Sequence, residues 1–373
     1  MATLGIIAVV LGAAAAAIGI LARFGGAVEW FRKRKETPPV RLLLAEQKES
    51  NRLLRKLADG LSLPGVAQPA TEELAAEATA DTEQKLREAV AFVDEGRYKD
   101  AIEHVRSAYD RELPPRARAR LYLIEGNASL FLSEYGVAEA RYKQAIEAAL
   151  ESEDRKAEAA AFGNLGIVYT ERGDSDGAEE YLGKARDIFE EIGDRLGQAR
   201  QLGSLGNVRM ARSDWEGAEE HYRKALDIFE ELGDRSGQAR ALGNLGNVYG
   251  ERGDSEHAEE YHRKAIEIDE EIGDRLGQAN QLGNLGRVFA KHGDLQGAEE
   301  YHRKALEIDE EIGARLGQAQ DLGNLGVVRA LRDDPEGAEE YFRRALGIFE
   351  EIGAGHLVSQ ARGLLEKLKA TND

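Results

Sequence analysis

Asn164, Asn244, Asn284 and Asn324 recur at multiples of forty residues, and Ser204 fills the gap in their series. Four residues before these positions stand Ala160, Arg200, Arg240, Asn280 and Gln320; three residues after them stand Ile167, Asn207, Asn247, Arg287 and Val327. Residues seven apart lie on one side of a helix, so each trio shares a face. Asn offers a donor and an acceptor and pairs with the peptide groups of any sequence. Arg presents a fork of donors that suits a carboxylate. This is binding chemistry. The residue types that could do catalysis lack the spacing for it. His262 and His302 hold equivalent places and His221 is one position off that register, without the i, i+4 pairing on one helix that many metal sites use. Carboxylates are abundant but recur with the forty-residue period and have no unique partner. Asn244-Leu245-Gly246-Asn247 contains a glycine but lies inside a helical pattern, unlike a strand-to-helix phosphate loop. The chain has no cysteine, which removes disulfides, thiolate metal sites and cysteine nucleophiles. The sequence reads as a non-enzyme with no metal and no cofactor.

The elements that position these residues come from the period itself. Residues 157–196, 197–236, 237–276, 277–316 and 317–356 are five tandem copies without insertion or deletion. A fixed period of this size means one supersecondary unit stacked on itself, each unit touching mainly its neighbours. Within 237–276 the apolar and small residues are Leu242, Leu245, Gly246, Val248 and Tyr249, then Ala258, Tyr261, Ala265, Ile266, Ile268 and Ile272. Their spacings of three and four are those of helices. Gly253 can end one helix in the left-handed conformation, and Asp254 or Ser255 can cap the next. Gly273-Asp274 repeats the punctuation. Each unit is therefore predicted as helix A, a tight turn and helix B. Gly246, Ala258 and Ala265 recur at 166/178/185, 206/218/225, 286/298/305 and 326/338/345, always Gly, Ala, Ala. Glycine inside a helix costs roughly 1 kcal/mol relative to alanine, so its repetition indicates close approach of a neighbour there. The Glu and Lys/Arg residues of helix B, three and four apart, suit a solvated face.

Leu242, then Leu245-Gly246, Tyr249, Ala258 and Ala265 form a pattern that resembles the tetratricopeptide repeat. The forty-residue length and the run Leu242-Gly243-Asn244-Leu245-Gly246-Asn247 resemble the longer variant of kinesin light chains and the Leu-Gly-Asn spindle-orientation proteins. The resemblance covers most of the chain from Asp81 onward. It implies an all-α solenoid of antiparallel helix pairs winding into a right-handed superhelix, with helix A on the concave side and an extended peptide or partner helix held there. Carried onto this chain, it implies a groove lined by Arg200, Asn207, Arg240, Asn244, Asn247, Asn280, Asn284 and Arg287. Gly243 and its equivalents 163, 203, 283 and 323 would leave space beside the eighth position of each unit. Such a lining suits a protein or peptide partner of acidic character.

Divergent helix pairs are expected at 81–115 and 116–156, since terminal units lack a neighbour on one side, giving about seven pairs in the solenoid 81–373. A capping helix is expected at 357–369. Ahead of the solenoid, Ala2 to Ala22 carries no charge. Twenty-one helical residues span about 30 Å, the hydrocarbon thickness of a bilayer. A secretory signal would place positive charge before the apolar stretch. Here Arg23 and Arg32-Lys33-Arg34-Lys35 follow it, with Trp30-Phe31 just before the cluster. Residues 1–35 thus read as a transmembrane anchor with its N-terminus outside and the solenoid in the cytoplasm. Gly5, Gly12 and Gly19 fall on one face that could pack against another such helix. In 36–80, Val40 to Leu61 reads either as a short coiled coil or as a helix on the membrane surface, and Leu63 to Ala80 as a flexible spacer.

Of 373 residues 32% are charged and the formal charge is −19. Residues 1–60 carry ten Lys/Arg against five Asp/Glu, so the remainder holds −24. That balance argues against nucleic acid, whose binding rests on basic surface. Two functions fit: a membrane-tethered adaptor that captures a partner in the groove, or a scaffold whose solenoids self-associate into a homo-oligomer.

Overall fold

The computed structural model describes residues 80–94, 97–108, 113–352 and 354–372. The expected membrane span at 2–22, the helix at 40–61 and the spacer after it lie outside these residues. Among the described residues there are fifteen α-helices and no strand. No helix among them is long and apolar enough to cross a membrane. The chain divides after Gly233 into two blocks. The first block holds α1 (Ala80–Asp94), α2 (Tyr98–Ser107), α3 (Pro115–Phe131), α4 (Tyr135–Glu151), α5 (Arg155–Arg172), α6 (Ser175–Glu191), α7 (Arg195–Ala211) and α8 (Trp215–Leu232). The second holds α9 (Arg235–Arg252), α10 (Ser255–Ile272), α11 (Arg275–Lys291), α12 (Leu295–Glu311), α13 (Arg315–Leu331), α14 (Pro335–Glu351) and α15 (Gly355–Asn372).

The helix ends follow a rule with a period of twenty residues. A left-handed residue stops each helix from α4 to α13: glycine at seven places, such as Gly253 with φ +83°, and a non-glycine at Glu153, Ser213 and Asp333. Ser133, after α3, starts the series. One residue later comes the cap. From α5 to α14 the side chain of Asp154, Asp174, Asp194, Asp214, Asp234, Asp254, Asp274, Asp294 or Asp334 accepts the N–H three residues on. Only α13 departs: its cap is Ala314, which has the same backbone shape and no acceptor.

Within each block the odd-numbered helix of a pair packs along the even-numbered one, and the even one packs on the next odd one. Odd helices also reach the odd helix of the following pair, while even helices make no comparable contact with each other. The odd helices therefore occupy the tighter side of each block. The glycine notches make this packing possible. Tyr142, Leu182 and Tyr222 in the first block, and His262, His302 and Phe342 in the second, press onto Gly126, Gly166, Gly206, Gly246, Gly286 and Gly326, where an added Cβ would collide with them. At the end of the second block Leu357, Ala361 and Leu364 of α15 bury against Phe342 and Phe349 and cover the last apolar face. The outer surface is polar. Glu259–Arg263 and Glu260–Lys264 are i, i+4 pairs, and Arg235–Glu271, Arg275–Glu311 and Arg315–Glu351 each tie the start of an odd helix to the end of its even partner. Exposed pairs of this kind contribute between nothing and about 1 kcal/mol each.

Candidate peptide-binding face

The fourth, eighth and eleventh positions of each unit fall on the odd helices α5, α7, α9, α11 and α13, and their exposure separates them. On α5, Ala160, Asn164 and Ile167 are all buried. On α13, Asn324 and Val327 are buried and Gln320 is half-buried. All eight residues of the expected groove, by contrast, are half-buried: Arg200 and Asn207 on α7 in the first block, and Arg240, Asn244, Asn247, Asn280, Asn284 and Arg287 on α9 and α11 in the second. Within the first block the buried positions on α5 give way to half-buried Arg200 and Asn207 on α7, and within the second the half-buried polar residues on α9 and α11 give way to buried Asn324 and Val327 on α13.

Some of these side chains are already engaged. Asn207 accepts the Tyr222 hydroxyl at 2.6 Å, which fixes it to α8. Arg287 donates to Asn284 at 2.9 Å along α11. Among the described residues the side chains of Asn244, Asn247 and Asn280 form no hydrogen bond within the protein. A half-exposed amide in this condition is satisfied by water and can exchange it for a peptide group without leaving a buried polar atom unpaired. On α5 the situation is reversed: Asn164 donates to Asn127 at 2.9 Å, and Asn127 also accepts from Tyr142. There asparagine staples two modules together.

The room beside the eighth position is taken by the protein itself. The fifth residue of the following unit fills it: Gln201 lies against Gly163 and Gln281 against Gly243, and the Asp321 carboxylate stands 3.4 Å from where a Cβ on Gly283 would be. The expectation of open space is thereby corrected at Gly163, Gly243 and Gly283, whereas at Gly203 nothing stands within 4 Å of where a Cβ would be. The vacancy of the glycine serves helix packing.

Those fifth residues belong to a buried polar seam under the face. Nδ1 of His262 lies 2.9 Å from Oε1 of Gln281. Nδ1 of His302 lies 3.2 Å from Oδ1 of Asp321 and 3.4 Å from Nδ2 of Asn324. Burial pulls His262 down to about 4, opposed by its bond to Gln281 and helped by Arg287. Burial and then Arg287 pull His302 down to about 3. Burial pushes Asp269 up to about 7, with Asp274 adding to it, and pushes Asp309 up to about 7, with Asp321 adding to it. Asp321 is raised well above the ordinary carboxylate value by burial, against a hydrogen bond from Asn324. The positions of His262 and Asp269 hold Leu182 and Phe189 on α6, Tyr222 and Phe229 on α8, and Phe342 and Phe349 on α14. Aligning the units on these two positions is enough to find the seam in the sequence. Among the described residues no three His, Cys, Asp or Glu side chains are placed to hold a metal ion.

A family model described as tetratricopeptide repeat matches residues 117–191, 198–271 and 277–351, well over half of the chain. A solved Rap protein complexed with competence and sporulation factor is 17% identical; the match covers 87% of this chain and 93% of that one, with a TM-score of 0.58. Aspartyl phosphate phosphatase F from Bacillus subtilis is 15% identical over 78% of this chain and 94% of that one, with a TM-score of 0.54. A tetratricopeptide repeat protein from Parabacteroides merdae is 16% identical over 76% and 100%, with a TM-score of 0.51. At these identities the likeness is one of fold. No curated protein matches the chain.

Proposed function

The chain belongs to the tetratricopeptide repeat family, and on that premise we propose that it is a non-enzymatic adaptor holding an extended peptide or partner segment on the polar face of α9 and α11 in the second block, with Arg200 and Asn207 of α7 offering the same chemistry in the first. The observation that carries this reading is the contrast in exposure. Equivalent positions are sealed by Ala160, Ile167 and Val327 on α5 and α13, and on α7, α9 and α11 they hold half-buried Asn and Arg at every place but the buried Ser204, with Gln320 the one half-buried residue of the set on α13. A fold that needed only to stack would have no reason to alternate in this way. The Rap protein solved with competence and sporulation factor supports the class of role, since the same fold there holds a second molecule.

The partner chemistry follows from the donors. Arg200, Arg240 and Arg287 favour a segment with carboxylates, and Asn244, Asn247 and Asn280 supply sequence-independent pairing to its backbone. The same proposal assigns residues 1–35 as the membrane anchor, 36–80 as the link to it and 81–373 as the repeat region on the cytoplasmic side. The test is equilibrium binding of the full chain to an array of extended peptides of graded acidity. Each charge-assisted hydrogen bond lost costs about 1.5–3 kcal/mol, so Arg240→Glu with Arg287→Glu is expected to weaken acidic peptides at least tenfold and neutral ones less. A double variant that binds every peptide as the parent does would remove the groove from the account.

A further inference from the structure

Two neighbouring seams of the second block differ at one buried group. In the α10/α11 seam, His262 meets Gln281, and Asp269 lies seven residues along α10. In the α12/α13 seam, His302 meets Asp321, and Asp309 lies seven residues along α12. Both histidines are 0% exposed, Asp269 and Asp309 are 3% exposed and Asp321 is 5% exposed. One carboxylate oxygen of Asp269, one of Asp309 and Nε2 of each histidine are buried without a hydrogen-bond partner. The α12/α13 seam therefore encloses two carboxyl groups and an imidazole where its neighbour encloses one carboxyl group, an amide and an imidazole.

Few charges face these groups. From α11, Arg287 stands near His262 and His302, while Asp274, the cap of α11, faces Asp269. From α13, Asp321 faces both His302 and Asp309. At the start of α13 the residue is Ala314, where the other modules carry a capping Asp. Against Asp321 itself lie Asn324 and Gly283, neither of them charged.

We propose that the α12/α13 seam is a pH-labile joint that is closed while Asp309 and the His302–Asp321 pair keep their protons and opens locally as pH rises through neutrality. The pair shares one proton whichever partner carries it. Burial holds that proton in the closed seam. Opening exposes Asp321 and His302 to water, where above about pH 6.5 neither retains it. Asp309, raised to about 7 in the closed seam, releases a second proton on opening between about pH 4 and 7.

The sign follows from linkage. A group whose closed-state value is raised stabilises the closed seam below its open-state value, and that stability is lost as pH rises toward the closed-state value. A histidine whose closed-state value is lowered acts oppositely, adding stability as pH rises toward its open-state value. In the α10/α11 seam His262 and Asp269 nearly cancel. In the α12/α13 seam Asp321 breaks the balance.

The experiment is hydrogen exchange of the full chain, with opening constants of α10 to α13 corrected for the intrinsic rate. Between pH 6 and pH 8 the α12/α13 amides are expected to open about a hundredfold more, and the α10/α11 amides only a few-fold more. Asp321→Gln places in this seam the residue already found at Gln201 and Gln281, and should reduce its pH response to that of its neighbour. Gln281→Asp should confer the steep response on α10/α11. Equal responses of the two seams in the parent protein, or an unchanged slope in both variants, would overturn the proposal.

Discussion

At the residue scale, the chain keeps a strained conformation where its repeat rule asks for glycine. Ser213 sits at φ +60° and Glu153 at +54°, where seven equivalent positions carry glycine. An L-residue in this region costs roughly 1–2 kcal/mol, and glycine returns part of that through the greater freedom of the unfolded chain. Ser213→Gly is therefore expected to stabilise the first block by about 1 kcal/mol, read as a rise in urea midpoint at unchanged slope. The punctuation was legible in the sequence, because Gly253-Asp254 and Gly273-Asp274 combine two strong local preferences. The polar seam was harder to see. The fifth position of the units holds Ala161, Gln201, Ala241, Gln281 and Asp321, and a variable position beside a binding face resembles one free to vary. That it is buried follows from the spacing of successive odd helices, which depends on how deep the glycine notches are.

At the element scale, the helix pairs owe their regularity to caps, and α13 is the exception. Asp side chains accept the N–H three residues on at the starts of α9 to α12 and α14, but Ala314 offers the corresponding donor no side-chain acceptor. Its backbone angles match those of Asp234 and Asp274, so a side-chain acceptor would fit without rearrangement. Ala314→Asn is expected to stabilise the second block by about 1 kcal/mol, measured by slower exchange in the first turn of α13. Asn is the better probe than Asp, since a carboxylate there would add charge beside Asp309. The odd helices also show which part of the binding face could be read from sequence alone. Ile167 and Val327 at the eleventh position already indicate closure on α5 and α13, whereas the engagement of Asn207 by Tyr222 depends on a partner fifteen residues away on the next helix.

At the scale of the whole molecule, two kinds of surface are set apart. The even helices and the module edges are covered with paired charges that carry little energy each, consistent with a chain whose solenoid holds nearly all of its negative charge. The odd helices α7, α9 and α11 carry the polar residues that spacing alone pointed to, with partners inside the protein for some and water for others. Burial sorts identical residue types into two roles: Asn164 and Asn324 join modules, while Asn244, Asn247 and Asn280 face outward. The forty-residue period fixes where each such residue stands, and the apolar or polar character of its neighbours fixes which role it takes. The central claim is that a guest lies along the outward-facing set. The most direct measurement replaces Asn244, and separately the exposed Glu267 of α10, with a photo-crosslinking amino acid in the full chain, in the presence of a peptide selected for binding. Crosslinking from position 244, with little from 267, is the expected result. Equal yields from the two positions, or a yield only from 267, would contradict the account.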